Sequence, residues 1–176
     1  MALYEFKVVI AGEPAVGKTS LVTKACGGEC PKVYLMTIGV NIASWQKMFD
    51  ADVIVLSIWD LGGQDRFLRI HPDFFKGAHA IVLCFDLTDP ESLEKLKSKW
   101  WEKEVKDASP LISPNVKYYL IGTKSDLMQK VDDSKIMEFS KEIPNVCFMK
   151  TSALKGENVN ALFEKIAMDL KAQLKS

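Results

Sequence analysis

Residues 12–20 read Gly12-Glu13-Pro14-Ala15-Val16-Gly17-Lys18-Thr19-Ser20. Two glycines separated by four residues, then a lysine and a hydroxyl residue, fit the pattern G-x-x-x-x-G-K-[ST]. Glycine lets a backbone wrap closely around an anion with its N–H groups turned inward. A helix starting directly after the loop aims the positive end of its dipole at the same anion. Lys18 adds a point charge for outer phosphates, and the Thr19 hydroxyl suits Mg²⁺. Pro14 is the odd member, because proline has no N–H and fixes φ near −65°. The anion-facing amides are therefore expected from Ala15 to Thr19, with Pro14 stiffening the turn where its own N–H is not required. By itself the motif says nucleotide without saying which one: small-molecule kinases, ATPases and GTPases all use it.

On either side of this loop, strand-like and helix-like segments alternate. Tyr4 to Ala11 is rich in β-formers and runs into the loop; Leu21 onward is helical and stops near Gly27-Gly28. Val40–Phe49 and Val53–Trp59 form a hairpin around Asp50-Ala51-Asp52. Ala80–Phe85 is a continuous apolar run of buried-strand length. Asp89-Pro90 starts a helix with proline at its first position, and Leu93, Leu96, Trp100 and Trp101 follow at near-helical spacing. Val116–Gly122 is a fifth strand, a short helix carries Ile136 and Phe139, and Val146–Met149 is a sixth strand. The last helix places Val159, Leu162, Phe163, Ile166 and Leu170 on one face. Such alternation predicts an α/β fold with a mostly parallel sheet covered on both sides, plus one antiparallel edge strand. No repeat or low-complexity linker interrupts residues 1–176, which read as a single domain.

Bulk composition narrows the function. Lys plus Arg and Asp plus Glu each number 23, which argues against a chain built for nucleic acid or acidic membrane. The four cysteines (Cys26, Cys30, Cys84 and Cys147) are irregularly spaced, and Cys26 and Cys30 lack neighbouring ligands, so no zinc site is expected. Cys84 and Cys147 lie in apolar runs and read as buried thiols. A reduced, cytoplasmic compartment fits this usage. No apolar run reaches membrane-span length. Neither a second-position glycine nor a C-terminal cysteine offers a lipidation motif in residues 1–176, so the expectation is either a soluble chain that meets membranes through partners or an anchoring tail outside these residues.

Three further stretches carry chemistry. Ile58-Trp59-Asp60-Leu61-Gly62-Gly63-Gln64 closes the third strand. There Asp60 can hold a water on Mg²⁺, the Gly63 N–H can touch a terminal phosphate, and Gln64 can orient an attacking water. Asp60 equally reads as a strand-end turn residue. Gly122-Thr123-Lys124-Ser125-Asp126 follows the fifth strand, where a carboxylate can accept both N–H groups of a guanine edge. Adenine presents a lone pair at the same ring nitrogen, so a site built on paired hydrogen bonds discriminates strongly. The bland alternative is a helix-capping turn. The Lys124 stem can lie along a base face. After the sixth strand, Thr151-Ser152-Ala153 offers a backbone N–H at Ala153 that could reach the guanine O6.

With these stations in this order, the chain resembles the Ras-like small GTPases, and the Rab branch most closely. Thr37-Ile38-Gly39-Val40, Asp65-Arg66-Phe67, Phe74-Phe75-Lys76-Gly77-Ala78 and Asp86-Leu87-Thr88-Asp89-Pro90 belong to the same resemblance, which spans the whole chain. It implies a P-loop NTPase fold with six strands and about five helices on both faces. It also implies GTP or GDP as bound ligand and substrate, with Mg²⁺ held by Thr19, Thr37 and, through water, Asp60. The implied catalytic residues are Gln64, Lys18 and Thr37. Around the phosphates it places Gly12, Ala15, Val16, Gly17, Lys18, Thr19, Ser20, Tyr34, Thr37 and Gly63. Around the base it places Thr123, Lys124, Asp126, Ser152, Ala153 and Leu154. Thr37 lies 18 residues after Thr19, the family's usual separation. Segments 30–40 and 60–76 would be the switches that a GTPase-activating protein, an exchange factor and effectors read, on a chain expected to be monomeric.

Several residues depart from the family pattern. Pro14 replaces a glycine or small polar residue, and its ring is expected near Gln64. Thr123 replaces an asparagine, Cys30 a phenylalanine against the base, and Leu154 a lysine. Arg66 and Arg69 are the only arginines, both in the second switch. Near Thr37 there is Lys32 but no arginine, so slow intrinsic hydrolysis and help from a partner are expected. Lysines 95, 97, 99, 103 and 106 read as a solvated helix face or a docking surface for an acidic partner. Two other functions compete with the switch: a nucleotide-dependent binding module with little hydrolysis, and a P-loop kinase, which usually needs an arginine-rich lid.

Overall fold

β-branched and large apolar residues dominate six strands, and their order sets the architecture. The computed structural model describes residues 2–29, 37–62 and 71–174. The strands are β1 (Leu3–Ala11), β2 (Val40–Phe49), β3 (Asp52–Leu61), β4 (Ala80–Asp86), β5 (Lys117–Thr123) and β6 (Cys147–Lys150). They form one sheet in the order β2-β3-β1-β4-β5-β6. β2 pairs antiparallel with β3; every other pairing is parallel. Asp50 takes a left-handed φ of 56° in the two-residue hairpin turn, and the Phe49–Asp52 pair closes the ladder.

Alternation along β1 splits the core. Val8 and Ile10 face α1 (Lys18–Ala25) and the last helix, α5 (Val159–Gln173), where Leu21, Leu162, Phe163 and Ile166 pack. Val9 and Ala11 face the other side. There α2 (His71–Phe75), a long third helix and α4 (Asp133–Glu142) contribute Phe75, Trp100 and Phe139. β4, at the centre, is buried along its whole length. Trp45–Phe163 ring contact, the Lys47–Glu164 ion pair and Lys171 on the Phe49 carbonyl (3.0 Å) fasten the hairpin to α5. Among the described residues, no helix is long and apolar enough to cross a membrane.

The third helix, α3, departs from simple periodicity. Asp89 caps it by accepting from Glu91 N–H (3.0 Å), and Pro90 occupies the first turn, as the Asp-Pro pair predicts. The helix is α over Pro90–Lys95, π over Leu96–Val105 and α again over Lys106–Ala108, then closes in a 3₁₀ turn, Ser109–Leu111. Hydrogen bonding from i to i+5 widens each turn. This widening buries Trp100 and Trp101 together, and Glu104 and Val105 together. The lysine run is not uniformly solvated. Lys95 pairs with Glu91 (2.9 Å), Lys97 with Glu142 (2.6 Å) and Lys99 with Glu13 (2.8 Å), the last largely buried.

Candidate functional site

Parallel pairing brings the C-terminal ends of β1, β3, β4, β5 and β6 to one edge of the sheet. Register does the rest: Ile10 pairs with Asp60, and Asp86 with Thr123. The strand order reverses around β1, the position at which open α/β sheets bind ligands.

Gly12 turns the chain out of β1 at φ 147°. A Cβ there would lie 2.3 Å from the Cys84 carbonyl oxygen, so the loop leaves β1 in direct backbone contact with β4. Ala15 is left-handed at φ 63°, and Gly17 caps α1 at φ 101°. The helix begins at Lys18, earlier than the apolar pattern alone indicated, because the first turn is spent on the loop rather than on the core. Lys18 is 5% exposed, and its ammonium donates to the carbonyls of Gly12 (2.7 Å) and Glu13 (2.8 Å). Burial lowers its pKa, opposed first by the nearby Asp60 charge. Pro14 borders a separate cleft of 270 Å³ with Glu13, Val16, Asp89 and Lys95, on the α3 side of the loop.

Below Lys18 three polar side chains meet. The Thr19 hydroxyl donates to Asp60 Oδ2 (2.5 Å) and lies 2.9 Å from the Thr37 hydroxyl. Asp60 is fully buried, its Oδ1 has no partner among the described residues, and burial raises its pKa. Two hydroxyls and a carboxylate with an unused buried oxygen form a hard, all-oxygen donor set, which fits Mg²⁺ and its retained waters. Gly62 permits this convergence. Its N–H donates to the Gly39 carbonyl (2.7 Å), and a Cβ there would meet the Thr37 carbonyl at 2.5 Å.

Beyond Gly17 the same edge opens into a cleft of 250 Å³, lined by Ser20, Leu21, Lys124, Asp126, Ala153 and Leu154 among others. Its rim is cross-braced. Ser152, fully buried, donates to Asp126 Oδ1 (2.5 Å) and accepts from Lys155 N–H (3.0 Å). Lys124, left-handed at φ 60°, pairs with Asp86 Oδ2 at 2.5 Å. Asp86 Oδ1 in turn accepts from Thr88. Thr123 is nearly fully buried, with its hydroxyl 2.5 Å from the Val16 carbonyl and 2.9 Å from that of Phe85. It thus ties the glycine loop to β4, while the residue also lines the cleft. Thr151, which also lines the cleft, keeps a buried hydroxyl without a partner among the described residues.

The structure therefore groups Gly12 to Ser20, Thr37 and Asp60 at one end of the site, and Thr123, Lys124, Asp126, Ser152, Ala153 and Leu154 at the other. Tyr34, Gly63 and Gln64 lie outside the described residues, as do Cys30, Lys32, Arg66 and Arg69. A family profile described as the Ras family matches residues 7–172, which take in both ends. The chain belongs to the Ras family. Two proteins of Paramecium octaurelia, Ras-related protein Rab-7a and Ras-related protein Rab-7b, are each 31% identical to this Ras-family chain over 172 residues. The alignments cover 97% of this chain and 83% of each relative.

Sequence reasoning missed three contributors in this Ras-family site. Asp86 was visible only as part of a motif, yet it anchors Lys124. Glu13 passed as filler between Gly12 and Pro14, although its carboxylate accepts from Lys99 (2.8 Å) and from the Trp100 indole N–H (3.0 Å). Leu21 is legible in the sequence only as part of a helix, and it also lines the cleft. Cys84 is buried as expected, with its thiol pushed up to about 12 by burial, whereas Cys147 is half-buried.

Proposed function

We propose that this Ras-family chain is a guanine-nucleotide switch that hydrolyses GTP slowly. The observation that carries the reading is the alignment of the glycine loop with a cleft whose rim presents Asp126, oriented by Ser152. A carboxylate held there can accept two N–H groups from a guanine edge, and an adenine edge would leave it facing a lone pair. Ala153 and Leu154 complete the base cleft, with the Lys124 stem along it. Lys18 supplies a buried cation for the outer phosphates, and amides from Ala15 to Thr19 take the remaining oxygens.

Thr19, Thr37 and, through water, Asp60 would hold Mg²⁺, which supplies charge neutralisation at the phosphates. Thr37 joins this set from the segment preceding β2, so it would link the terminal phosphate to one switch. Gly63 would do the same for the other, Gln64 would orient the attacking water, and Tyr34 would cover the phosphates. Those three roles rest on the family resemblance. Without a built-in arginine, intrinsic turnover should be slow, on the order of 10⁻⁴ to 10⁻³ per second as is usual for the family. A GTPase-activating protein would then accelerate it, an exchange factor would reload it, and effectors would read segments 30–40 and 60–76.

Chromatography of the nucleotide carried through purification should find GDP or GTP, and a single-turnover time course should show slow phosphate release. Adenine nucleotide in the site would overturn the reading. Pro14, locked in φ inside the loop, favours a second reading: a binding module with little hydrolysis. A Pro14→Gly variant that hydrolyses no faster than the wild type, alone or with an activating protein, would remove the steric role of Pro14, and phosphate release by the wild type would remove the alternative itself.

A further inference from the structure

Glu13 is the only acidic side chain in the glycine loop, one residue from the turn that would face phosphate. It does not point free. Its Oε1 accepts from both Lys99 Nζ (2.8 Å) and Trp100 Nε1 (3.0 Å), two adjacent residues of the π-helical part of α3. Both ends of the ion pair are mostly covered, at 18% and 13% side-chain exposure. Trp100 is fully buried, so its indole is a fixed post. From the same residue, the Glu13 backbone carbonyl accepts the Lys18 ammonium. Side chain and main chain of Glu13 therefore connect α3 to the phosphate-binding cation, and Pro14 restricts the backbone immediately after it.

We propose that Lys99 and Trp100 are positioning residues for the phosphate loop, acting through the Glu13 carboxylate that they hold and neutralise. This rests on the nucleotide-binding reading above. Two effects follow from the contact. The indole and the ammonium fix the direction in which Glu13 leaves the loop, and with it the carbonyl on which Lys18 rests. The Lys99 charge also cancels a carboxylate that would otherwise repel incoming phosphates across a largely buried, weakly screened path. Widened turns in the π segment let two successive residues, 99 and 100, address one carboxylate oxygen while Trp101 still packs in the core.

The test compares affinities for GDP and for guanosine, which carries no phosphate, by competition against a fluorescent guanine nucleotide. Lys99→Met strands a mostly buried carboxylate and should weaken GDP binding about tenfold while leaving guanosine within about twofold. Trp100→Phe keeps the packing, loses the N–H and should act in the same direction, more weakly. Adding Glu13→Gln to Lys99→Met removes the unpaired charge and should restore most of the GDP affinity; Lys99→Arg should retain it from the start. Equal losses on GDP and guanosine would reduce Lys99 to a structural role and overturn the proposal. So would a double variant no better than Lys99→Met, or single variants that bind GDP like the wild type. A wild-type chain that binds no guanine nucleotide would instead overturn the reading on which the proposal rests.

Discussion

Replacing Thr123 by valine removes one hydroxyl from the place where the glycine loop meets β4. The side chain is almost isosteric, so the perturbation is chemical rather than volumetric. That hydroxyl lies 2.5 Å from the Val16 carbonyl and 2.9 Å from the Phe85 carbonyl, at 4% exposure. It has one proton, so it serves one carbonyl at a time. The variant loses that hydrogen bond and presses a methyl group against two buried oxygens, a change worth about 1–3 kcal/mol. For a chain of this size each kcal/mol lowers Tm by about 2–4 °C, so a fall of about 2–12 °C is expected. Because Val16 belongs to the loop and neighbouring Gly17 lines the cleft proposed to take the base, GDP release should quicken as well. Differential scanning calorimetry and stopped-flow release of a fluorescent GDP measure the two effects. Thr123→Ser, which restores the hydroxyl, should recover both. A valine variant that melts within about 1 °C of the wild type and releases GDP at the same rate would refute the brace; a serine variant as impaired as valine would show that the methyl group, not the hydroxyl, matters.

Chelating divalent ions should speed GDP release from the wild type; in Asp60→Asn, release in Mg²⁺ should approach the chelated rate, and an undiminished response to EDTA would exclude Asp60 from the metal shell. Ala15 sits at φ 63°, where a non-glycine residue is strained by about 1–2 kcal/mol. Ala15→Gly should therefore raise stability by up to about 1 kcal/mol after the entropic cost of glycine, and a loss in chemical denaturation would show that the Ala15 methyl makes compensating contacts. His79 accepts the Lys7 N–H at Nδ1 (3.0 Å), which assigns the neutral ring with its proton on Nε2. Burial, then the Lys7 charge, holds its pKa below 6.5. A folded value below the unfolded one means that this stability is complete above about pH 6.5 and lost as pH falls through the folded value. Tm measured from neutral to mildly acidic pH should fall less steeply for His79→Gln than for the wild type; parallel profiles would show that His79 carries none of the dependence.

Most of the architecture was legible because its signals are local. Apolar runs, the Asp89-Pro90 cap and the five apolar positions of α5 each name an element without reference to anything distant. The glycine loop was legible for the same reason: Gly12, Gly17, Lys18 and Thr19 are neighbours in sequence, and their chemistry needs them to be. What escaped were contacts between segments far apart in the chain. Glu13 meets Lys99 and Trp100 across 86 and 87 residues. Lys124 meets Asp86 across an ion pair no periodicity announces. The π geometry of α3 was hidden for a related reason. Leu93, Leu96, Trp100 and Trp101 satisfy an ordinary helical pattern, and only the joint burial of two adjacent tryptophans reveals the wider turn. Thr123 lines the cleft at which it is expected, and its hydroxyl also straps the glycine loop to β4, a contact across 107 residues that no local pattern announces.

Electrostatics at the two ends of the glycine loop supply a further argument for polyphosphate chemistry. The Lys18 ammonium is buried on two carbonyls, and burial works against its charge. Asp60 is buried with one oxygen unpartnered, and burial works against its charge as well. A chain selected only for stability would replace both by apolar residues, since buried ions contribute little beyond the cost of desolvating them. Their retention is understandable if a ligand brings negative charge to Lys18 and positive charge to Asp60 at once. A nucleoside polyphosphate with a divalent cation has that distribution. Binding would then reverse both unfavourable shifts, so the same residues that weaken the fold by itself would become the source of its coupling to the nucleotide. Thr37, bonded to Thr19 and packed through its carbonyl on Gly62, is the described residue through which that coupling would reach the segment before β2.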